Sequence, residues 1–236
     1  MARDRIVILR TGDAVPSVSA RRGDFFQWIE HTVRQVYPGE LVEVDVRVAE
    51  PSDEILDARG FFVTGSPSSV TERAPWMLRT EELLRRIMVL EKPLLGICFG
   101  HQMLAQALGG EVARNPRGRE MGTIPVTVRE DDPLFAGLAR VFAVNATHVD
   151  TVASLPPGAV VLAHSDLEPT AAYRIGNARC VQFHPEIDGD VMRGYLEARR
   201  ELLAAEGLDV DAMLGLAVDT PSGAQILQNF VKHFIM

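Results

Sequence analysis

Short apolar runs alternate with stretches of helical periodicity through the first half of the chain. Four runs have the composition of strands: residues 5–10, 41–48, 60–64 and 94–97. In the second run valine alternates with charged residues, which indicates a strand with one solvent-exposed face, near an edge of the sheet. Apolar positions at helical spacing follow the runs over residues 25–36, 52–58 and 75–90. This order predicts an α/β fold, a mostly parallel central sheet with helices on both faces.

The pattern changes after Gly109 and Gly110 to short strands with turn residues between them. These strands are expected over residues 112–114, 124–128, 141–145 and 160–163. They predict a small antiparallel patch attached to the parallel sheet. Helices are expected over 192–205 and 223–234, whereas 209–220 is apolar but irregular and predicts no element. Because no linker, repeat or low-complexity segment divides the chain, we expect one domain over residues 1–236.

One stretch, residues 91–109, joins a buried strand to a helix through a single sharp corner. Gly96 and Gly100 flank Cys98 there, and such a corner is too tight for side chains on both sides of it. Cys98 would then stand at a helix N-terminus, where the partial positive charge favours a thiolate. The following backbone N–H, that of Phe99, would point to where an oxyanion forms. The stretch therefore predicts a catalytic cysteine.

A candidate base follows the apolar strand at residues 178–183. His184 would lie at the carboxyl end of that strand, the edge at which open α/β sheets place their active sites. Glu186, two residues on, can orient its imidazole through a hydrogen bond, so that Cys98, His184 and Glu186 form a nucleophile, base and orienting group. Taken singly, Cys98 is more simply a core thiol and His184 an ordinary turn histidine. Their joint occurrence favours the triad.

At these residues the sequence resembles a known family. GICFGHQ at 96–102 and QFHPE at 182–186 are similar to the two signatures of class I glutamine amidotransferases. Further similar motifs are TGSP at 64–67, REMG at 119–122 and THVD at 147–150. The resemblance covers most of the chain and is strongest to the short, single-domain members called GMP-synthase-like. It implies a flavodoxin-like fold and a Cys-His-Glu triad that releases ammonia from the side-chain amide of glutamine.

The loop that begins at Gly65 has two interpretations from its residues alone. It is either an ordinary turn or the place where a backbone N–H completes the oxyanion hole with Phe99. The resemblance favours the oxyanion role for Gly65. It also implies that glutamine contacts further residues: Gln102 by a hydrogen bond, Glu120, Met121 and Gly122 through the backbone that shapes the pocket, and His148 as pocket wall.

Composition and charge argue against two classes of binding partner, nucleic acids and membranes. The chain has 236 residues and a formal net charge of −8, which argues against a nucleic-acid partner. No basic-then-apolar leader opens it and no apolar run reaches the roughly 18 residues of a membrane span, so we expect no membrane partner and a cytoplasmic protein. Cys98 and Cys180 can pair in principle, but free thiols fit a reducing cytosol better. No pattern of zinc ligands surrounds Cys98 and His184, and we expect no metal or cofactor.

The resulting hypothesis is hydrolysis of the γ-glutamyl amide of glutamine or of a γ-glutamyl compound through a glutamyl thioester on Cys98. Two alternatives remain. The chain could be a glutaminase subunit that delivers ammonia to a separate synthetase, since it contains no phosphate-binding loop with which to activate an acceptor. It could also be a silent binding module, although the intact triad residues count against that.

Overall fold

The computed structural model describes residues 4–48 and 51–236, which contain the following elements. The strands are β1 (Arg5–Arg10), β2 (Glu40–Asp45), β3 (Gly60–Val63), β4 (Leu94–Ile97), β5 (Glu111–Arg114), β6 (Glu120–Val128), β7 (Val141–His148), β8 (Asp150–Ser154), β9 (Val160–His164), β10 (Ala172–Ile175) and β11 (Ala178–Val181). The helices are α1 (Pro16–Arg22), α2 (Phe25–Val33), α3 (Pro75–Val89), α4 (Phe99–Ala107), α5 (Gly189–Ala198), α6 (Arg200–Ala205), α7 (Val210–Leu216) and α8 (Pro221–Phe230), followed by a π-helix, Val231–Ile235.

The central sheet has the strand order β2-β1-β3-β4-β11-β10-β9-β6-β7. The strands from β2 to β11 in that order are parallel, and those from β10 to β7 continue the sheet as antiparallel neighbours. Strands β5 and β8 form a separate antiparallel ribbon. The predicted fold class is confirmed, and so is the position of the valine-rich strand β2 at an edge of the sheet.

Both faces of the parallel part of the sheet are buried, because successive residues of its strands point to opposite faces and are apolar on each of them. Ile6 and Ile8 of β1 belong to the core that α2 and α8 cover, while Val7 and Leu9 belong to the core under α3 and α4. Asp24 caps the N-terminus of α2 through a capping box, in which the side chains of Asp24 and Gln27 accept hydrogen bonds from backbone N–H groups. The parallel strands thus end together at one edge, and their C-terminal loops lie side by side.

Several element predictions need correction. The segment 52–58 forms only a 3₁₀-helix, Asp53–Asp57, and β2 ends at Asp45 rather than at Val48, whose side chain is 81% exposed. Residues 49–50 of the sequence lie outside the described residues. Helices α1 and α7, the latter within the segment 209–220 for which no element was predicted, and strands β8 and β10 were missed, since they are short and carry few periodic apolar positions.

The predicted helix over 192–205 is wrong in one respect that affects the site. It is two helices, α5 and α6, which meet at Arg199, where the backbone has φ −112° and ψ 13°. These helices, with α1, α7 and part of α2, form a third apolar cluster that covers the carboxyl edge of the sheet. Within the described ranges, no helix is both long enough and apolar enough to cross a membrane.

Candidate active site

Cys98 lies between β4 and α4 in a backbone conformation that L-residues rarely adopt, with φ 50° and ψ −99°. Its N–H donates to the carbonyl oxygen of Val181 in β11 at 2.8 Å, which ties the corner to the neighbouring strand. A Cβ at Gly96 would lie 2.8 Å from the Gly100 carbonyl oxygen, and one at Gly100 would lie 2.5 Å from that of Val63. The corner therefore requires both glycines, as predicted from the sequence.

His184 follows β11 and is held from two sides. Its backbone N–H donates to the carbonyl oxygen of Asn145 at 2.8 Å. On the imidazole ring, Nδ1 lies 2.7 Å from Oε1 of Glu186. Only 3% of His184 and 8% of Glu186 is exposed, and the ring of Phe25 stacks on the imidazole at a centroid distance of 6.0 Å. Because Nδ1 is committed to Glu186, Nε2 is the nitrogen left for chemistry.

The charges around His184 determine its protonation. Burial lowers the pKa of the imidazole, but the charges of Glu186 and Cys98 outweigh burial and raise that pKa to about 10. His184 is therefore protonated near neutral pH. Cys180, in contrast, is a core residue of β11 whose burial raises the pKa of its thiol to about 12. Both cysteines are free.

The two backbone groups predicted as oxyanion donors lie at neighbouring strand ends. Phe99 is the first residue of α4, where an N–H has no acceptor within its own helix. Gly65 follows β3, and among the described residues its N–H has no hydrogen-bond acceptor. The Gly65 carbonyl accepts a hydrogen bond from Oγ1 of Thr11 at 3.0 Å, which fixes the orientation of that loop. Both donors are thus available, and their role stays a prediction.

Two cavities adjoin the candidate triad. One, of about 590 Å³, is lined by Cys98 and Phe99, and the other, of about 300 Å³, is lined by His184. Both are lined by the same four residues where they meet: Ser66, Pro67, Thr147 and Arg199. A substrate can therefore extend from the cysteine side to the histidine side of the triad.

Gln102 and His148 line the larger cavity, as predicted, and both are also bonded to protein groups. Nε2 of Gln102 donates to the Asp150 carbonyl at 2.9 Å and to Oε1 of Gln182 at 3.0 Å. His148 has Nδ1 at 3.1 Å from the Asp150 carbonyl and Nε2 at 3.0 Å from Oε2 of Glu120. These bonds fix both side chains in place as parts of the cavity wall.

The structure does not bring the segment at 120–122 to the same cavity. Glu120 and Met121 line a different one, of about 310 Å³, and Gly122, with φ 106°, lines none of these three. Glu120 is buried between His148 and Ser165, whose Oγ donates to it at 2.5 Å. The assignment of these three residues to the glutamine pocket stays a prediction that the cavity linings do not support.

Two residues of the site, Arg199 and Asn145, were missed by the sequence analysis. Arg199 stands where the two cavities meet, and its guanidinium donates to Oγ1 of Thr147 and lies 5.1 Å from the centre of the Tyr195 ring. Asn145 supports the strand end that carries His184. Neither belongs to a local motif, since Asn145 reaches the site through β7 and Arg199 through the break between α5 and α6.

Other candidates are accounted for elsewhere in the fold. His101 lines neither cavity beside the triad and packs on the ring of Tyr173 at 4.8 Å, where burial lowers its pKa to about 3. It is thus directed away from the site. In the part of the chain that the structure describes, no group of three or more His, Cys, Asp and Glu residues is placed to hold a metal ion.

The chain is similar to known proteins in sequence and in fold. Residues 23–199 match the family described as glutamine amidotransferase class-I. A glutamine-hydrolysing GMP synthase from Pyrobaculum aerophilum is 37% identical over 170 residues, which make up 70% of this chain and 31% of that protein. Gamma-glutamyl peptidase 3 from Arabidopsis thaliana is 31% identical over 150 residues, 60% of each protein. The chain thus spans less than two thirds of the length of these relatives.

Solved structures show the same fold. The crystal structure of a glutamine amidotransferase from Thermotoga maritima superimposes with a TM-score of 0.80 and covers 100% of this chain and 99% of its own. Its sequence identity of 24% supports a conclusion about the fold alone.

Proposed function

The chain belongs to the class I glutamine amidotransferase family, and on that premise we propose that it hydrolyses the γ-glutamyl amide bond of glutamine or of a γ-glutamyl compound. Cys98 is the nucleophile, His184 the acid and base, and Glu186 the group that orients His184. The observation that supports this best is the buried 2.7 Å contact of His184 with Glu186, together with the Cys98 charge that raises the pKa of His184.

In the first half of the reaction, the Cys98 thiolate attacks the γ-carbonyl carbon. The carbonyl oxygen becomes an oxyanion that accepts hydrogen bonds from the N–H groups of Phe99 and Gly65. The carbon–nitrogen bond then breaks while His184 gives its proton to the leaving nitrogen. Ammonia or an amine departs, and a glutamyl thioester remains on Cys98.

The second half depends on the change of charge at Cys98. A thioester sulfur is neutral, so one of the charges that raise the pKa of His184 is gone. The neutral imidazole can then take a proton from water, whose oxygen attacks the thioester carbon. The carbon–sulfur bond breaks, glutamate leaves, and the thiolate and protonated His184 are restored.

The likeness to GMP synthases favours a second candidate, in which the same hydrolysis supplies ammonia to a synthetase on another chain. The matched region makes up 31% of the Pyrobaculum protein, so this chain corresponds to only a part of such a synthase. A subunit of this kind would be silent until its synthetase docks. The chemistry at Cys98 is the same in both candidates.

The test is to incubate the purified protein alone with glutamine and with γ-glutamyl dipeptides and to measure released glutamate. A parallel reaction with a glutamine-like diazoketone measures the alkylation of Cys98. Steady release of glutamate supports a self-contained hydrolase. A silent protein whose Cys98 alkylates quickly supports the ammonia-delivering subunit. No glutamate together with alkylation no faster than that of free cysteine would contradict both candidates.

A further inference from the structure

The two cavities beside the triad differ in chemistry. The larger has polar groups on its wall, among them Gln102, His148 and Asp150. The smaller is lined largely by apolar and aromatic side chains: Ala14, Val15, Pro16, Phe25, Pro67 and Tyr195. We propose that the smaller cavity, together with Arg199, binds the leaving half of the substrate, and that this half is an α-amino acid with an apolar side chain. The inference rests on the proposed function and names its substrate class.

The chemistry decides which half of the substrate lies in which cavity. The leaving nitrogen must come within hydrogen-bond reach of His184, because it receives its proton from that imidazole. His184 lines the smaller cavity and Cys98 the larger. The departing amine therefore extends into the smaller cavity. The glutamyl half, which carries an ammonium and a carboxylate, lies in the larger and more polar one.

Arg199 supplies a charge that the protein does not balance. Within residues 4–48 and 51–236, no carboxylate lies in ion-pair contact with its guanidinium, although Arg119 on the same cavity wall is paired with Glu206 at 2.7 Å. One of its five donors is used by Thr147. The side chain is half-buried, and burial lowers its pKa. A half-buried cation without an anionic partner is stabilised by an anionic ligand.

Arg199 lies where it can bind a carboxylate on the leaving half of the substrate. It lines both cavities where they meet, so a carboxylate one carbon from the leaving nitrogen can reach it. That spacing is found in an α-amino acid. The one carboxylate among the described residues that line the smaller cavity, that of Asp13, is already paired with Arg47 at 2.7 Å. It therefore does not cancel the attraction of Arg199 for an anion.

The apolar lining of the smaller cavity favours a leaving amino acid whose side chain is apolar. Ammonia would leave a space of about 300 Å³ unfilled, whereas an apolar side chain would contact Phe25 and Tyr195. Each methylene that such a side chain buries raises kcat/KM by about fourfold when the contact is made in the transition state. γ-Glutamyl-leucine should therefore be hydrolysed faster than γ-glutamyl-glycine or glutamine.

The first experiment needs no variant. The kcat/KM for glutamate release is measured for glutamine, γ-glutamyl-glycine, γ-glutamyl-leucine and γ-glutamyl-isopentylamide, which is the leucine compound without its carboxylate. We expect γ-glutamyl-leucine to exceed the isopentylamide by about 10- to 100-fold, as for a charge-assisted hydrogen bond. Equal rates for that pair, or a preference for glutamine, would overturn the inference while leaving the proposed function intact. Release of glutamate from none of the four would contradict the self-contained hydrolase, on which the inference rests.

The second experiment assigns the carboxylate to Arg199. Arg199→Met should reduce the ratio of the leucine compound to the isopentylamide by about 10- to 100-fold, and Arg199→Lys should restore part of it. Arg200→Met is the matched control, because Arg200 pairs with Glu197 and Asp211 outside both cavities. Both substrates carry the α-carboxylate of the glutamyl half. An equal loss on both would therefore mean that Arg199 binds that group or only supports the fold, and the inference would be wrong.

Discussion

A Cβ atom at Gly65 would lie 2.7 Å from Cε1 of His184. The loop after β3 therefore passes so close to the imidazole of His184, which follows β11, that position 65 has no room for a side chain. Gly65 does not have a positive φ, so its requirement is for space and not for an unusual backbone conformation. Any side chain at this position must displace the imidazole that faces Cys98.

Gly65→Ala should therefore lower kcat by about 100-fold or more, because a displacement of about 1 Å at a reacting group is enough for such a loss. The measurement is the steady-state rate of glutamate release, with the free energy of unfolding determined on the same protein. Gly215→Ala is the matched control, since a Cβ there would meet nothing within 4 Å. A Gly65→Ala protein with the parent's kcat would show that His184 is not held against this loop.

The protonation state of His184 gives a second prediction. Because the charges of Glu186 and Cys98 outweigh burial and raise its pKa to about 10, His184 should keep its proton from pH 6.5 up to about that value. The ring resonances of selectively labelled His184 should not titrate between pH 6 and 8. They should change as the pH rises toward 10, where the proton is lost.

The contribution of Cys98 to this pKa can be measured with Cys98→Ala. Without the thiolate charge, burial opposes Glu186 alone, and the midpoint of the His184 titration should move to lower pH. A midpoint near 6.5 in the parent protein would contradict the account of the site.

Asn145 gives a third prediction, as a residue that positions His184 without touching it through its side chain. Its side chain is fully buried, with Nδ2 donating to the Ile187 carbonyl at 2.9 Å and Oδ1 accepting from Oγ1 of Thr123 at 2.7 Å. Asn145→Ala leaves these partners unsatisfied and should lower the free energy of unfolding by about 1–3 kcal/mol. It should also lower kcat by about tenfold, with a smaller effect on KM, because the turn that carries His184 loosens.

The matched control is Asn177→Ala, in the exposed turn between β10 and β11. It removes one amide of the same kind far from both cavities, and it should leave kcat unchanged. If Asn145→Ala destabilised the protein but kept the parent's kcat and KM, Asn145 would be a structural residue only.

Local patterns carried most of what could be predicted. Gly96, Cys98 and Gly100 indicated the corner because the physical cause, the lack of space, acts within a few residues. The His-Pro-Glu segment indicated the strand end for the same reason, and the alternation of strands and helices predicted the parallel sheet. Strands β8 and β10 could not be predicted in this way, since they are short and their pairing with distant strands makes them strands.

The break between α5 and α6 at Arg199 could not be predicted from the local pattern of residues. Apolar spacing runs through it as if one helix continued, whereas the packing of its side chain on Tyr195 and Thr147 accompanies a break between two helices. The segment at Glu120 is a similar case. The register of β6 with β7 sets Glu120 opposite His148, and that pairing, rather than its place in a motif, brings it into the wall behind the larger cavity.

The central claim is that the thiol at the corner between β4 and α4 performs the chemistry. It is tested most directly by comparing Cys98→Ala with Cys180→Ala, which removes the other of the chain's two cysteines from the core of β11. Glutamate release from glutamine and γ-glutamyl-leucine is measured for both variants at concentrations of folded protein matched by circular dichroism. We expect Cys98→Ala to lose at least about 10⁴-fold in kcat and Cys180→Ala to keep the parent's rate per folded molecule. Equal turnover by parent and Cys98→Ala would contradict the account.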